Sequence, residues 1–409
     1  MLSVKDAESI IFNLVSSLNK KPDVETVNLS ECLHRILAES VTSNLNFPHD
    51  DNSAMDGYAV LFDDVKNASS NNPISLQIVE EIPAGYQPKI KLTSGQSARI
   101  FTGALMPAGA DTIVIQENTN REGDRVFILS APKYQEYVRF QGEFYQSGSP
   151  LLPPNIKINP QEIAVLAAAQ CTKLSVYARP KVAIFSTGDE LVTPDDQLLP
   201  GQLVDSNQFA LEAVVLASGG IPNRIGIIKD DKTAIRNTII KAVNSADMVL
   251  STGGVSVGEY DFVEELLGEL GAEIHIRSVG IKPGKPLTVA TFPETKSLYF
   301  GLPGNPVSAL VTYWRFVQPV LKQLSGISEN YQPTFINVVA QNDLYSDGKR
   351  ESYIWGKLEL IEGNYHFKKA GGSHSSGNLI NLAQTNALAV LPVGTKIINA
   401  GEKVQVLVI

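Results

Sequence analysis

Three times in this chain a short apolar run stops at a polar, glycine-bearing loop and a helix-like segment follows. Ala246-Asp-Met-Val-Leu250 runs into Ser251-Thr-Gly-Gly-Val-Ser-Val-Gly-Glu-Tyr-Asp261; Phe262-Val-Glu-Glu-Leu-Leu267 then has helical spacing, with Asp261 as its expected N-cap. Pro180-Lys-Val-Ala-Ile-Phe185 runs into Ser186-Thr-Gly-Asp-Glu190. Ser297-Leu-Tyr-Phe300 runs into Gly301-Leu-Pro-Gly-Asn-Pro306, and 307–324 reads as an apolar helix. Such runs suit strands covered on both faces, the habit of parallel sheets. Loops leaving those strands gather at the carboxyl edge, where ligands bind. Paired glycines let backbone approach a ligand, and amides at a helix start favour an anion. A lone Thr-Gly-Gly is weak; three loops on one crevice carry the expectation.

The flanks have a different texture. The 409 residues suffice for roughly two to four domains. The strand–helix alternation predicts a doubly wound, mostly parallel sheet over 179–327. Residues 1–45 read as helix, connector, helix: Ile10, Ile11, Leu14, Val15 and Leu18 form one apolar face, and Leu33, Ile36 and Leu37 a second after Ser30. Asn159-Pro160 opens another helix, so 1–45 and 146–178 are expected to form one discontinuous helical domain. Residues 46–145 read as an inserted β-domain. They begin with a turn-rich stretch holding Asp50, Asp51 and Asp56 and continue with period-two strands between turns at Gly85, Gly95, Gly109 and Gly123. Residues 328–409 read as a C-terminal β-barrel-like domain with a tight turn at Gly363-Asn364. The whole is an α/β multi-domain protein.

The formal net charge of −9 argues against general nucleic-acid affinity and against an anionic membrane surface. Two cysteines, Cys32 and Cys171, are too few for a disulfide framework or a zinc site and suit a reducing, cytoplasmic setting. No apolar run reaches the ~20 residues of a membrane span. Ser3 looks like a helix cap, which argues against a signal peptide. The five histidines show neither ligand spacing nor a Ser-His-Asp arrangement. No phosphate-loop Gly-Lys-Ser or Gly-x-Gly-x-x-Gly signature occurs.

At the expected crevice, Asp189, Glu190, Asp230 and Asp261 lie at strand ends. Carboxylates so gathered repel one another unless a cation sits among them, and oxygen ligands suit Mg²⁺. Lys282 and Lys285 flank Gly284 on a loop stiffened by Pro283 and Pro286 and offer positive charge to an oxyanion. Arg350 and Ser375-Ser376-Gly377 add oxyanion contacts.

Taken together, Ser53-Ala-Met-Asp-Gly-Tyr-Ala59, Phe101-Thr-Gly-Ala104, Ser186-Thr-Gly-Asp-Glu-Leu191, Asp205-Ser-Asn207, the Thr252-Gly-Gly loop with Asp261, Lys282-Pro-Gly-Lys-Pro286 and Gly301-Leu-Pro-Gly-Asn-Pro-Val-Ser308 follow in that order. In this the chain resembles the molybdopterin molybdenumtransferases, the family of bacterial MoeA and the gephyrin E domain, over nearly its whole length. The resemblance implies a four-domain homodimer with its cleft between subunits. It implies that adenylylated molybdopterin and molybdate are turned into molybdenum cofactor and AMP with a divalent cation, downstream of a molybdopterin adenylyltransferase as a possible partner. The family's functional residues match Asp56, Thr102, Glu190, Asp230, Asp261, Lys282, Lys285, Arg350 and Ser376, with Glu190, Asp230 and Asp261 as implied Mg²⁺ ligands. Substrate contacts are implied for Arg139, Ser186, Thr187, Gly188, Asp189, Asp205, Ser251, Thr252, Gly253, Gly254, Pro303, Gly304, Asn305 and Pro306. One departure stands out. Where the family has Gly-Glu-Asp, this chain has Gly142-Glu-Phe144, which removes a negative charge from the cleft. The alternatives are a molybdopterin adenylyltransferase, which is a small single domain, and a non-catalytic scaffold, which need not keep Asp56, Lys282 and Lys285.

Overall fold

The computed structural model describes residues 1–18, 22–253 and 262–409. At its centre is a six-stranded sheet in the spatial order Ile221–Ile228, Lys181–Thr187, Met248–Thr252, Ser297–Leu302, Pro286–Phe292, Glu273–Ser278. The first four strands run parallel, and the last two pair antiparallel. Side chains alternate across this sheet with period two. Val182, Ile184, Met248, Leu250, Leu298 and Phe300 face one core, shared with the helix Asn207–Ala217 and the segment beginning at Pro306. Ala183, Phe185, Val249 and Tyr299 face another, covered by the helices Lys232–Ser245 and Val263–Glu269. Covering both faces explains why these strands read as unbroken apolar runs.

The apolar segment 307–324 is one helical rod with a widened middle: Pro306–Thr312, a π turn Tyr313–Val317, then Gln318–Leu324. Pro319 has no N–H to give the carbonyl four residues back, that of Arg315, so the regular ladder is interrupted there. Arg315 lies in the π turn and is 5% exposed. Its Nη1 and Nη2 donate to the Glu8 carboxylate at 2.7 and 3.0 Å, and its Nε donates to the Tyr353 hydroxyl at 3.0 Å. That hydroxyl in turn donates to Glu351 Oε1 at 2.6 Å.

The first helix, Val4–Ser17, begins at Ser3, whose hydroxyl accepts from the Asp6 amide. It buries Val4, Ala7, Ile11 and Leu14 in the core of the central sheet. The second helix expected near 33–37 is not formed. The chain instead makes the strand Val24–Asn28, a single tight turn Leu29–Glu31, and an isolated bridge from Leu37 to Val176. His34 has φ 63°, which no helix accommodates. Leu37 and Cys32 reach a small core with Leu166, Leu174 and Val176, so tertiary packing overrides the local spacing. Val24–Asn28 pairs with Lys173–Tyr177 across the intervening β insertion.

That insertion is a six-stranded sheet in the order 112–115, 57–60, 96–100, 74–82, 125–128, 119–122. At the C-terminal end, Glu351–Ile361, Asn364–Lys369, Phe335–Ala340, Lys403–Val408 and Ala387–Leu391 pair in turn, and the last pairs back to the first, closing a five-strand barrel. Its tight turn is centred on Glu362-Gly363, one residue before the expected position. Both have positive φ, and Ile361 pairs with Asn364, as a two-residue hairpin requires. The short strand Ile281–Lys282 adds in parallel to the start of Glu351–Ile361 and ties the central unit to the barrel. Among the described residues no helix is long and apolar enough to cross a membrane.

The buried Arg315–Glu8 pair yields a stability prediction. Glu8→Ala strands a guanidinium away from water and is expected to lower the unfolding free energy by about 3–5 kcal/mol in a urea melt. A loss below about 1 kcal/mol, the worth of an exposed pair, would assign the contact a minor role.

Candidate functional site

The three strand-end loops converge as their sequences predict. Gly253 has φ 83°, and a Cβ there would lie 2.4 Å from the Thr187 carbonyl oxygen. Only glycine fits this close approach. Gly304 sits against the same residue, with the Gly253 Cα 3.7 Å from the Cβ position of Gly304. Below the loops, the Ser186 and Thr252 hydroxyls are 2.8 Å apart, and the Tyr299 hydroxyl donates to Ser251 Oγ at 2.7 Å. These bonds lock the ends of three adjacent strands. The Thr187 hydroxyl is buried without a hydrogen-bond partner among the described residues. Gly254 and Asp261 lie outside the described residues.

Asp205, 3% exposed, faces inward. Its Oδ1 accepts from the amides of Asn207 and Gln208, and its Oδ2 accepts from Gln208 Nε2 at 2.6 Å. The consequence is positional: Asn207 Nδ2 donates to the Gly304 carbonyl at 2.8 Å, holding the loop that carries Pro303, Asn305 and Pro306. The sequence reading pointed to Asp205 as a substrate contact, yet its oxygens are taken up by the chain itself.

The acids at this edge are adjacent. The Asp230 amide donates to Asp189 Oδ1 at 3.3 Å, and the Glu190 carboxylate folds over Gly188. Burial pushes the Asp230 carboxyl above the usual carboxylate range; a hydrogen bond from the Asp189 backbone to that carboxyl opposes this, and the charges of Asp189 and Glu190 add to it. No cluster of three His, Cys, Asp or Glu side chains forms a metal cage among the described residues. Mg²⁺ does not need one, because it commonly takes one or two carboxylates plus substrate phosphate and water. Asp189 and Asp230 fit that donor set.

The lysine loop is held by the barrel. Arg350 Nη1 donates to the Ile281 carbonyl at 3.1 Å, and the Glu351 amide to Gly280 O at 3.0 Å. The Lys282 ammonium pairs with Asp347 Oδ2 at 2.9 Å, a partner that the sequence reading missed and that only the fold brings close. Lys282 and, in turn, the Lys349 amide hold the Asp347 carboxyl below its ordinary range. Lys285 lies three residues on, where its carbonyl accepts from the Val279 amide. Ser376 also reaches this region, its carbonyl accepting from the Val307 amide at 3.2 Å. The ring of His374 lies 4.5 Å from that of Trp355 and anchors the Ser376 loop.

The remaining residues form a second cluster on the β insertion. The Thr102 amide and hydroxyl both donate to Asp56 Oδ1, at 2.8 and 2.7 Å. Those bonds, the amide first, hold the Asp56 carboxyl below its ordinary range. Gly57 admits no side chain, since a Cβ would lie 2.1 Å from the Val114 carbonyl oxygen. Val138–Arg139 pairs with Asn52–Ser53 on the same unit. Phe144 is 68% exposed. Among the described residues no hydrogen bond or ion pair links Asp56 or Thr102 to the sheet-edge cluster.

Two outcomes follow. Gly253→Ala forces a side chain into the Thr187 backbone and is expected to cost about 1–3 kcal/mol in a denaturant melt. Asp230 holds its proton more tightly folded than unfolded, so its ionised form costs stability. That cost is absent below pH about 4, grows through the raised pKa and is full at neutral pH. Asp230→Asn is therefore expected to raise Tm at pH 7 in chelator, with the gain vanishing near pH 4. A gain equal at both pH values would detach it from this charge.

The chain matches, in order, the descriptions "MoeA N-terminal region (domain I and II)" at residues 2–169, "Probable molybdopterin binding domain" at 183–323 and "MoeA C-terminal region (domain IV)" at 337–409. It is 59% identical over 408 residues to a molybdopterin molybdenumtransferase of Nostoc sp., covering 100% of this chain and 94% of that protein. It is 32% identical to a protein of the same name from Bacillus subtilis, over 97% of this chain and 92% of that one. A crystal structure of a molybdopterin biosynthesis MoeA protein from Pyrococcus horikoshii superposes with a TM-score of 0.84 at 29% identity, covering 100% of both chains. Sequence identity along the full length and the shared multi-domain fold agree: this chain belongs to the MoeA family of molybdopterin molybdenumtransferases.

Proposed function

We propose that this protein carries out the molybdenum-insertion step of molybdenum cofactor synthesis, in which adenylylated molybdopterin and molybdate give the cofactor and AMP. The observation that carries the reading is the packing of the Thr187, Gly253 and Gly304 loops, which sets backbone and hydroxyl groups at one sheet edge beside the Asp189–Asp230 pair. Such an edge suits a pyrophosphate-bearing ligand: amides approach its oxygens, and carboxylates receive the cation that accompanies them. Asp189 and Asp230 would hold Mg²⁺, with substrate phosphate and water completing its shell, and Glu190 and Asp261 are the further acids that the sequence offers it. Mg²⁺ when bound would spread the charge that develops on the departing phosphate.

The chain's own groups divide the rest of the work. Lys282, Lys285 and Arg350 form the positive side and face the dianionic molybdate. Lys282 is neutralised by Asp347 in the free protein, so an arriving oxyanion exchanges one negative partner for another. Asp56 stays ionised and orients the Thr102 hydroxyl and amide, which leaves the hydroxyl's acceptor side free for a proton on the substrate. Ser376 lies on the loop that its own carbonyl ties to the Val307 amide. Arg139 belongs to the same β unit as Asp56. These two clusters work on one substrate if the active unit is a homodimer, with the β insertion of one subunit facing the sheet edge of its partner. The setting is cytoplasmic, with the adenylyltransferase that makes the substrate as an upstream partner.

The decisive experiment follows AMP release from adenylylated molybdopterin with molybdate and Mg²⁺. Asp56→Asn and Asp230→Asn are each expected to lose at least ~10²-fold in rate, the span of general electrostatic catalysis. Mixing the two inactive variants after subunit exchange is expected to recover roughly a quarter of wild-type activity, since half of the dimers then hold one intact cleft of two. No recovery would place both acids in one subunit's site. Molybdate-independent release would remove the metal-insertion step.

A further inference from the structure

Away from the carboxyl edge, the C-terminal ends of the helices Asn207–Ala217 and Gln318–Leu324 meet the small unit built on Val24–Asn28 and Lys173–Tyr177. They enclose a cavity of about 360 Å³. Its charged lining is cationic: Arg35, Lys157, Arg179 and Lys322, with His34 beside them and no carboxylate among the described residues. In a chain of net charge −9 this runs against the overall balance. Arg35 is already spent, since it pairs with Glu25 and donates to the Tyr177 carbonyl at 2.8 Å. Lys157, Arg179 and Lys322 form no ion pair among the described residues. Lys322 is half-buried, and burial, then the charge of Lys157, holds its ammonium below the usual lysine range.

Apart from Glu25, which is spent on Arg35, two helix ends supply the negative charge on this wall among the described residues. Each C-terminus carries roughly half an elementary charge, so the pair offsets about one of three cations and leaves a surplus near two. Lys157 and Arg179 are exposed and partly screened by water, Lys322 is half-buried, and an anion among the three would relieve their mutual repulsion. The volume lies at the small end of the roughly 300–1,000 Å³ typical of ligand pockets, and Ile36, Ala217 and Ile327 add apolar wall. We propose that this cavity binds a small phosphate monoester as its dianion, with Lys157, Arg179 and Lys322 around the phosphate and the apolar wall against the organic part. This site is separate from the sheet edge and does not rest on the reading given for it.

The test is calorimetric titration of the full chain with glycerol 3-phosphate and, in parallel, inorganic phosphate. One-to-one saturation by glycerol 3-phosphate is expected, weakened at least ~10-fold in the Lys157→Gln/Lys322→Gln variant and unchanged in Lys282→Ala. No saturation at millimolar concentration overturns the site. Binding that survives the double variant but disappears in Lys282→Ala places the anion at the sheet edge and also overturns it. Inorganic phosphate binding as tightly as the ester removes the organic half of the proposal. Without ligand, the double variant is expected to melt at or above the wild-type temperature, because it relieves repulsion. A lower melting point would assign the lysines to packing and count against a ligand.

Discussion

The bidentate contact between Arg315 and Glu8 is the point through which three parts of the chain are joined. Glu8 belongs to the first helix, Arg315 to the π turn of the long central rod, and Tyr353 and Glu351 to the barrel strand that follows Arg350. A guanidinium withdrawn from water is tolerated only where its donors are satisfied. The three elements therefore share an arrangement in which each nitrogen of the Arg315 guanidinium donates a hydrogen bond. From that arrangement the short strand Ile281–Lys282 falls into register with Glu351-Ser352, and Gly284 of the lysine loop lies against Ser308 and Thr312 at the start of the helical rod.

The edge itself is built by exclusion. Gly253 approaches the Thr187 backbone, Gly304 approaches Gly253, and inward-facing Asp205 and Asn207 brace the third loop from below. What remains exposed at the top is polar and acidic. Asp230 carries the strain of that choice: its carboxyl is partly withdrawn beside two like charges, a state that a cation would relieve. Asp56 shows the opposite arrangement, a carboxylate held ionised by two donors from Thr102 on a separate unit. Two clusters with their acids in such unlike environments fit the proposed cleft between two subunits.

Much of the sheet was readable because both of its faces are buried, so its strands are written as apolar runs and its loops as glycine and carboxylate. The barrel was readable through period-two alternation and a Glu362-Gly363 turn misplaced by a single residue. The failures are instructive. Leu33, Ile36 and Leu37 have helical spacing, yet Leu37 bridges a strand more than a hundred residues away, and a local pattern carries no record of that partner. Asp205 stood among the residues that the resemblance implies as substrate contacts, and the fold adds that its oxygens accept from Asn207 and Gln208. Asp347 escaped notice because its partner, Lys282, lies 65 residues away.

The sequence by itself determined which segments become strands, where the polar loops fall, and which residue types stand in them, since these follow from hydrophobic periodicity and from the backbone freedom of glycine. The order of its motifs was enough to point to the family. Only the tertiary structure decided which charges are paired: Lys282 with Asp347, Arg315 with Glu8, Arg35 with Glu25, while Lys157, Arg179 and Lys322 line one cavity with no ion pair among the described residues. The reason is physical. Electrostatic energy depends on distance and on withdrawal from water, and both are set by contacts between residues far apart in the chain.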